Sequence, residues 1–535
     1  MPDSRLTFNS NKRRMETLVE QSEVEQSDRV KRRAEGEETR KEIRGSSLLL
    51  VGRLLSIGIN FAAQVLMVRY LSTTAYGALG YALSMVDFCQ AYANIGFKRA
   101  ITRFVPIYHE KGEYDKLFGT ILLVVGTTVL IGLAIIVAVH APASPVSHFL
   151  IHDQRAKLLL LIMIFLVPIG ALNELLIGLC ASFASPRAIF FCSHLLLPGL
   201  KFSVALLLIL ERRDVTLFAY GYLFCGALGV LIYSAVLLRL MQRQGVLQYF
   251  QLKTLQAPAR AIFAFTIPVL ISDLVAMHSA VDVFLLGHFH NTSEVAAFRV
   301  VLSAARLNTM VLSIFVLLYT PSAARLFAKS DYAGINTLYW RMAVWMAVFS
   351  FPIFALTFSM AQPLTVFLYG VRYQRSGMIL ALLSLGYYSN VLSGFNGETL
   401  RVLGKVRYVV TISLIAAITN VAANLLLIPR YGALGAAIST AGTIILQNIL
   451  LQVGLRQAPG IHLFERKYLS LYLIIVFSAL GLFFVQFFSP SRIYVALALA
   501  SLGALFVFAI GKKNLKIADT FPELQRLPLM RLIFT

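Results

Sequence analysis

The stretch from Arg407 to Gln447 reads RYVVTISLIAAITNVAANLLLIPRYGALGAAISTAGTIILQ, and it decides the fold class. Two apolar segments, each of a length that suits a membrane helix, are joined by the short turn IPRYGALG. Because proline lacks a backbone donor and crowds the preceding turn, Pro429 is predicted to end the first helix. Gly432 and Gly435 are predicted to allow a tight turn and close helix packing. The stretch therefore predicts a hairpin of two membrane helices.

Three polar residues lie on one face of the first helix of this hairpin. Ser413, Asn420 and Asn424 are spaced by seven and then by four residues, which brings them to the same side of an α-helix. Such a face either packs against a neighbouring helix or forms a wall that meets water or a ligand. The sequence leaves both interpretations open.

The composition of the whole chain indicates a polytopic helical membrane protein. Of its 535 residues, 58% are hydrophobic and only 14% are charged, whereas soluble domains average about 45–50% and about 25%. Apolar runs long enough to cross a bilayer recur along most of the chain. Fourteen spans are predicted, near 46–69, 77–101, 117–140, 157–183, 188–209, 215–238, 260–287, 295–321, 334–358, 376–400, 406–428, 433–455, 468–488 and 491–511.

The basic excess of the chain belongs to its membrane part. The net charge is +22, but residues 1–45 hold eleven basic and ten acidic residues, which nearly cancel. This segment is predicted to be a disordered cytoplasmic tail. The connections between spans that lie on the same side of the membrane as this tail carry more basic residues than those on the other side. Both termini are therefore predicted to be cytoplasmic. No nucleic-acid partner is expected.

The chain repeats weakly on itself with a shift of 219 residues, which places the first span on the seventh, the second on the eighth and Lys201 on Asn420. Six spans separate the copies, so they are predicted to be parallel repeats related about an axis along the membrane normal. The predicted fold is an all-α membrane protein of two six-helix lobes plus two appended helices. Its units are the tail at 1–45, an N-lobe at 46–238, a basic cytoplasmic linker at 239–259, a C-lobe at 260–455, two helices at 456–511 and a basic cytoplasmic tail at 512–535.

Patterns typical of catalysis or metal binding are absent from the sequence. It has no phosphate-cradling glycine loop with a lysine, no GxSxG and no HExxH. The four cysteines lie in apolar spans without CxxC spacing, and they are expected to be reduced structural thiols. An enzyme, a cofactor and a metal site are therefore not expected.

Charged residues inside the spans are the candidates for function, because each costs about 2.5–3.5 kcal/mol at the centre of a membrane helix. A mostly cationic set, together with the two asparagines of the hairpin, is predicted to line a substrate-binding cavity. This set is Arg53, Lys201, Arg299, Arg306, Asn420 and Asn424. The predicted coupling or counter-ion residues are Asp87, Asp273 and Asp282.

Several of these residues have a competing interpretation. Arg53 lies only about two turns into its helix and could instead reach the lipid headgroups. Asp282 could cap its helix or pair with a loop group. Asp87 and Arg306 are equivalent under the shift and are predicted to approach each other in one state of a transport cycle. The alternative is that Asp87 pairs within its own lobe, with Arg53 or Lys201.

The sequence resembles the polysaccharide-transporter family, the Wzx-type flippases of the multidrug, oligosaccharidyl-lipid and polysaccharide exporter superfamily. The resemblance is carried by two Asn in an apolar helix, the turn IPRYGALGAA and a following helix of small residues, and it extends over about residues 45–460. It implies a V-shaped pair of lobes around a central cavity and alternating access by rocking of the lobes.

A cationic cavity suits an anionic substrate, because Arg and Lys bind phosphate well. With the resemblance, this indicates a bacterial-type inner-membrane flippase for an oligosaccharide linked to polyprenyl pyrophosphate. Expected partners are this lipid, membrane lipids and, as further candidates, other polysaccharide-assembly proteins. One alternative keeps the fold and makes the protein a cation-coupled drug or metabolite antiporter or a lipid II flippase. Another is a membrane-embedded assembly component or glycosyltransferase of a polysaccharide system.

Overall fold

The chain is helical along nearly all of its described part. A computed structural model describes residues 51–141, 153–183, 190–210, 214–251, 253–275, 278–456, 460–462, 465–488 and 492–515. No strand occurs within these ranges, which confirms the predicted all-α class. The N-terminal tail predicted at 1–45 and residues 516–535 of the predicted C-terminal tail lie outside the described residues.

The helices of the N-lobe precede those of the C-lobe and the appended pair. In the N-lobe they are α1 Val51–Tyr70, α2 Thr73–Asn94, α3 Phe97–Glu110, α4 Tyr114–His140, α5 Gln154–Met163, α6 Leu166–Ser182, α7 Leu197–Leu210 and α8 Val215–Arg243. Beyond the linker they are α9 Ala259–Val275, α10 His278–Phe289, α11 Thr292–Arg306, α12 Met310–Ala328, α13 Tyr332–Phe354, α14 Ala361–Tyr369, α15 Ser376–Leu392, α16 Asn396–Val402, α17 Val406–Leu455, α18 Leu469–Phe488 and α19 Ile493–Leu515.

The described helices confirm a multi-pass membrane protein. Within the described ranges, nine helices are long and apolar enough to cross a membrane, or ten when the bent pair of α5 and α6 is taken as one span. Two shorter apolar segments, His194–Leu210 and Ala280–Phe289, correspond to α7 and α10. The described residues of every predicted span are mainly helical, but the number fourteen stays a prediction.

The second predicted span, 77–101, is divided in the structure. Ser72 caps the start of α2 by accepting from the Ala75 amide at 3.2 Å. The helix then ends at Asn94, because Ile95 and Gly96 have φ angles of 41° and 68° in the left-handed region. Glycine adopts this conformation freely and commonly marks a helix end. Gly96 is therefore the local sign of the break that hydropathy alone does not show.

The hairpin around Gly432 corrects one prediction. The helix α17 continues through Pro429 and breaks at Gly432, where φ is 55° and ψ is −132°. The prediction that Pro429 ends the first helix is therefore wrong, because the reversal needs a conformation that glycine adopts most readily. Gly435 packs as predicted, since a Cβ there would lie 2.4 Å from the Leu427 carbonyl oxygen.

The two lobes meet where α2 crosses α11. A Cβ on Gly77 would lie 1.7 Å from the Thr292 carbonyl oxygen, so the backbones touch here. Arg299 of α11 donates to the Gly80 carbonyl oxygen at 2.6 Å and also to the Ser84 hydroxyl. Gly80 and Arg299 are 219 residues apart. Equivalent positions of the predicted parallel repeats therefore contact each other at the crossing.

The lobes are also joined at the end of the molecule where α1 finishes, here called the Tyr70 end. Arg69 donates to the Leu368 carbonyl oxygen at 2.9 Å. Arg372 donates to the Arg69 carbonyl oxygen at 2.9 Å. The opposite end, here called the Arg53 end, lies about 26 Å away along α1 at about 1.5 Å per residue. The structure is therefore closed between the lobes at the Tyr70 end.

The appended helices α18 and α19 lie against the outside of the C-lobe. Ile475 of α18 and Ala496 of α19 share a buried apolar cluster with Phe351 of α13. This position keeps the appended pair away from the crossing of α2 and α11, and the interior between the two lobes is formed by the lobes themselves.

Candidate functional site

A cavity of about 680 Å³, here called the central cavity, lies beside the crossing of the two lobes. Its wall contains one carboxylate and three cationic side chains. These are Asp87, Lys201, Arg299 and Arg306. All three cations line the same cavity as the Asp87 carboxylate. The structure thus brings four of the predicted site residues together in a wall with an excess of positive charge.

Two of these cations are oriented by tyrosine side chains. The Lys201 ammonium on α7 lies 4.5 Å from the centroid of the Tyr222 ring on α8, which is cation–π geometry. The Arg306 Nε donates to the Tyr387 hydroxyl at 3.3 Å. A neutral tyrosine orients a cation without neutralising it. Lys201 and Arg306 therefore both line the cavity as cationic side chains with a tyrosine contact.

Arg299 lies in the same wall but has a different environment. Its guanidinium spans the crossing and donates to the backbone and a hydroxyl of α2, at Gly80 and Ser84. A second contact also joins the lobes: the Gln64 amide of α1 donates to the Val300 carbonyl oxygen of α11 at 3.1 Å. Both side chains therefore hold the lobes together while they line the cavity.

Arg53 lies on a second cavity of about 620 Å³, here called the C-lobe chamber. A smaller cavity of about 350 Å³, here called the joining cavity, also has Arg53 in its wall. The joining cavity shares Asn60 and Gln64 with the central cavity and Ser313 with the C-lobe chamber. The three cavities therefore adjoin, and Arg53 lies where the joining cavity meets the chamber.

Asn420 and Asn424 lie elsewhere than predicted. Both are fully buried, and neither belongs to the described wall of the central cavity. The Asn424 amide donates to the Asp282 carboxylate at 2.6 Å and to the Asn420 side-chain oxygen at 3.1 Å. Thr440 donates to the other carboxylate oxygen of Asp282 at 2.6 Å. The reason is physical: a buried carboxylate needs donors, and the polar face of α17 supplies them.

The polar face of α17 thus divides between the two interpretations that the sequence left open. Asn420 and Asn424 pack against α10, as helix-packing residues do. Ser413, from the same face, lies in the wall of the C-lobe chamber and accepts from the Gln447 amide at 3.2 Å. One helical face therefore serves a helix contact along part of its length and a cavity wall along another.

The surroundings of Asp282 are rich in oxygen atoms. Among the described residues, no cationic side chain lies within ion-pair distance of its carboxylate. The Asn424 Oδ1 and the Asn420 Nδ2 have no hydrogen-bond partner in the described part of the chain, and an amide can exchange these two atoms by rotation. A carboxylate with such neighbours is a place where a proton or a small cation would be stabilised.

Asp273 cannot be placed, because its side chain lies outside the described part of the chain. The sequence reasoning also missed Tyr222, Tyr387 and Thr440. Thr440 had a usable signal: it and Asn424 are each eight residues from Gly432, so a reversal at that glycine brings them opposite each other. The two tyrosines follow no spacing that separates them from the other aromatic residues of the spans.

Two helical lobes around a charged cavity, closed at one end, are the architecture of a membrane transporter. Residues 43–326 match the family described as polysaccharide biosynthesis protein. The chain belongs to this family, which confirms the resemblance seen in the sequence. A comparison with curated proteins gives no match.

Solved structures share the fold over most of the chain. The lipid II flippase MurJ in an inward closed conformation has a TM-score of 0.65 at 16% identity, over 88% of this chain and 99% of that chain. An inward-facing multidrug resistance MATE family transporter of the MOP superfamily has a TM-score of 0.61 at 13% identity, over 76% and 97%. The MATE multidrug transporter DinF-BH has a TM-score of 0.55 at 15% identity, over 78% and 96%. The fold is therefore that of flippases and transporters.

Proposed function

We propose that the chain is a flippase that moves a lipid-linked oligosaccharide across the inner membrane for the synthesis of a surface polysaccharide. The supporting observation is the positive excess of the central cavity, where Lys201 and Arg306 are each oriented by a neutral tyrosine. A pyrophosphate headgroup would bind there through charge-assisted hydrogen bonds. The polyprenyl tail would stay in the surrounding lipid, and rocking of the two lobes would carry the headgroup across.

We infer that the Arg53 end faces the cytoplasm, because the basic residues are concentrated on that side. The closed Tyr70 end then makes this the inward state, in which the substrate is loaded. Two exposed positions test the orientation, Asn291 and Thr254. In a cysteine-free background, Asn291→Cys should react with an impermeant thiol reagent in intact cells, and Thr254→Cys should not. Labelling at position 254 would reverse the inferred orientation.

We propose Asp282 as the group that couples transport to a proton or a small cation. Its support is full burial beside neutral donors, since a bare carboxylate in that position is costly and its charge must be compensated. Asp273 stays a second candidate, and Asp87 a counter-ion for the cavity cations. Release of the ion from Asp282 in one state of the cycle would couple ion movement to the rocking of the lobes.

Deletion of the gene tests the proposed substrate. Surface polysaccharide should vanish while its lipid-linked unit accumulates in the inner leaflet. Accumulation of lipid II with loss of cell-wall synthesis would instead identify a lipid II flippase. Unchanged polysaccharide with altered sensitivity to organic cations would identify a cation-coupled antiporter. The positive excess of the central cavity favours an anionic headgroup over a cationic drug.

A further inference from the structure

The C-lobe chamber differs in chemistry from the central cavity. Its wall is dominated by neutral groups that both donate and accept hydrogen bonds. These are Thr309, Ser313, Tyr387, Asn390, Asn396, Ser413, Gln447 and Asn448, from the turn before α12 and from α12, α15, α16 and α17. Three charged residues also line the chamber: Glu398 and Arg401 pair with each other, and Arg53 lies where the joining cavity meets the chamber. Ser313, Asn396 and Asn448 already donate to described protein groups, so the hydrogen-bonding capacity left for an occupant lies mainly with Asn390 and Gln447.

The amides of the chamber keep hydrogen-bonding capacity for an occupant. The Asn390 side chain forms no hydrogen bond with any other described residue, although it is half-buried. The Gln447 amide uses only its nitrogen within the described part of the chain, donating to Ser413 at 3.2 Å. Amides offer a donor and an acceptor side by side. This pattern matches the hydroxyl groups of a sugar ring better than it matches an alkyl chain, which needs apolar surface, and the larger group of cations lies in the central cavity.

The size and position of the chamber suit the glycan part of a headgroup. Its volume of about 620 Å³ falls within the range of about 300–1,000 Å³ that is usual for small-molecule sites. The joining cavity leads from Arg306, in the wall of the central cavity, to Ser313, in the wall of the chamber. A molecule with an anion at one end and hydroxyl groups at the other could therefore occupy both cavities at once.

We propose that the C-lobe chamber is a saccharide-binding subsite, which takes the first sugars of the substrate while their pyrophosphate lies in the central cavity. The proposal rests on the proposed function, because it needs a substrate that carries an anion and a glycan together. The central cavity then recognises what all such lipids share, and the chamber distinguishes one glycan from another.

The first experiment measures binding of two kinds of probe to the purified full chain in lipid nanodiscs. The glycan-free probe is the methyl diester of geranylgeranyl pyrophosphate. The glycosylated probes carry a disaccharide in place of the methyl group, built in turn from neutral hexose, N-acetylhexosamine and hexuronic acid. At least one disaccharide should strengthen binding over the glycan-free probe. Failure of every disaccharide to do so would overturn the proposal.

Substitutions then separate the two cavities. Asn390→Leu should weaken the best glycosylated probe by about 3- to 10-fold, the value of a neutral hydrogen bond or two, and should leave the glycan-free probe unchanged. Lys201→Gln should weaken both probes. If Asn390→Leu has no effect while Lys201→Gln weakens both, the subsite is wrong and the proposed function stands. If Lys201→Gln weakens neither, the proposed function itself fails.

A matched pair on α12 guards against effects on folding. Ser313 and Ser322 both donate to the backbone of their own helix, at 2.7 Å and 2.9 Å, but only Ser313 belongs to the described chamber wall. Ser313→Ala should weaken the glycosylated probe and Ser322→Ala should not. As an independent measurement, Asn390→Cys should be protected from a thiol reagent by the glycosylated probe and not by the glycan-free one. Equal protection by both would contradict a saccharide subsite.

Discussion

Lys201 in the N-lobe and Asn420 in the C-lobe are equivalent positions of the two repeats, yet their surroundings differ in charge. The Lys201 ammonium lines the central cavity and lies 4.5 Å from the centroid of the Tyr222 ring. Asn420 is fully buried beside Asn424, which donates to the Asp282 carboxylate. One copy of the scaffold therefore holds a cation, and the other holds a carboxylate that the described Asn424 and Thr440 side chains bind.

The same shift extends the comparison to the neighbouring positions. Besides Asn420, the C-lobe site has a carboxylate, an amide and a hydroxyl, at Asp282, Asn424 and Thr440. Their equivalents in the N-lobe are Ala63, Ala205 and Gly221. None of these three has a polar side chain. In the proposed function, this difference gives one repeated fold two tasks: the N-lobe copy would present charge to an anionic substrate, and the C-lobe copy would hold an exchangeable cation or proton.

The largest effect is expected when the fixed charge of the N-lobe is removed. Lys201→Ala should reduce transport by about 10- to 150-fold, because a hydrogen bond to a charged group contributes about 1.5–3 kcal/mol and about 1.4 kcal/mol is tenfold. Arg306→Ala should behave alike. The measurement is flipping of a fluorescent isoprenoid-pyrophosphate oligosaccharide in proteoliposomes. Lys329→Ala, at an exposed site on the end of α12, is the control and should transport normally, whereas normal transport by both cavity variants would remove the anion-binding argument.

A second prediction concerns a substitution, Asn420→Lys, that makes this site of the C-lobe resemble its N-lobe equivalent. Asn420→Lys places a fixed ammonium beside Asp282, so the carboxylate no longer needs an exchangeable cation. Transport should fall by about tenfold or more, a loss of at least about 1.4 kcal/mol of coupling, and should lose its dependence on an imposed proton or sodium gradient. Asp282→Asn should lose the same dependence by removing the charge. Unchanged gradient dependence in both variants would leave Asp282 without a coupling role.

A third prediction concerns Arg299, which joins the lobes rather than serving one of them. Arg299→Gln removes the guanidinium bonds to Gly80 and Ser84 and should shift the equilibrium away from the closed Tyr70 end by about 3- to 10-fold. The reporter is Thr292→Cys, since Thr292 is only 3% exposed in this state. Its labelling rate should rise by the same factor in Arg299→Gln and by less in Ser84→Ala. An equal rate in all backgrounds would show that the contact does not hold the lobes closed.

The smallest effect is expected from a charge exchange between equivalent positions. Asp87→Arg and Arg306→Asp should each impair transport, and the double variant should recover about threefold over the worse single variant if the two side chains approach each other during the cycle. Recovery by Asp87→Lys with Lys201→Asp, and not by the first pair, would show that Asp87 is the partner of its own lobe. All four residue changes lie in the wall of the central cavity, so protein level is the control for each.

The fold could be predicted from the sequence because hydropathy and the 219-residue shift depend on long averages. The same shift appears in the structure as the separation between Gly80 and Arg299. The exact end of a helix depends on one residue. The sequence pattern predicts that Pro429 ends the helix, whereas the reversal occurs at Gly432, which has a positive φ. A proline inside a helix removes one backbone hydrogen bond, and packing against neighbouring helices can compensate for that loss.

The site was harder to predict, because helical spacing tells which residues share a face and not what the face meets. Asn424 meets a carboxylate 142 residues earlier in the chain, and no local pattern shows that contact. Nothing in the sequence distinguishes the chamber amides, such as Asn390 and Gln447, from ordinary packing residues. Their common cavity becomes visible only after α15 and α17 are placed together.

The turn at Gly432 connects the two helices of the hairpin without a long loop. Gly432 and Ala433 are buried, and the Glu294 carboxylate accepts from the Ala433 amide at 2.8 Å. Only a short ridge made of Pro429, Arg430 and Tyr431 is exposed next to it. An epitope tag inserted after Gly432 would have to break this contact, so the hairpin is a poor site for a tag, an antibody or a protease. For the same reason, an inhibitor directed at this face would have only the short exposed surface of these three residues to bind.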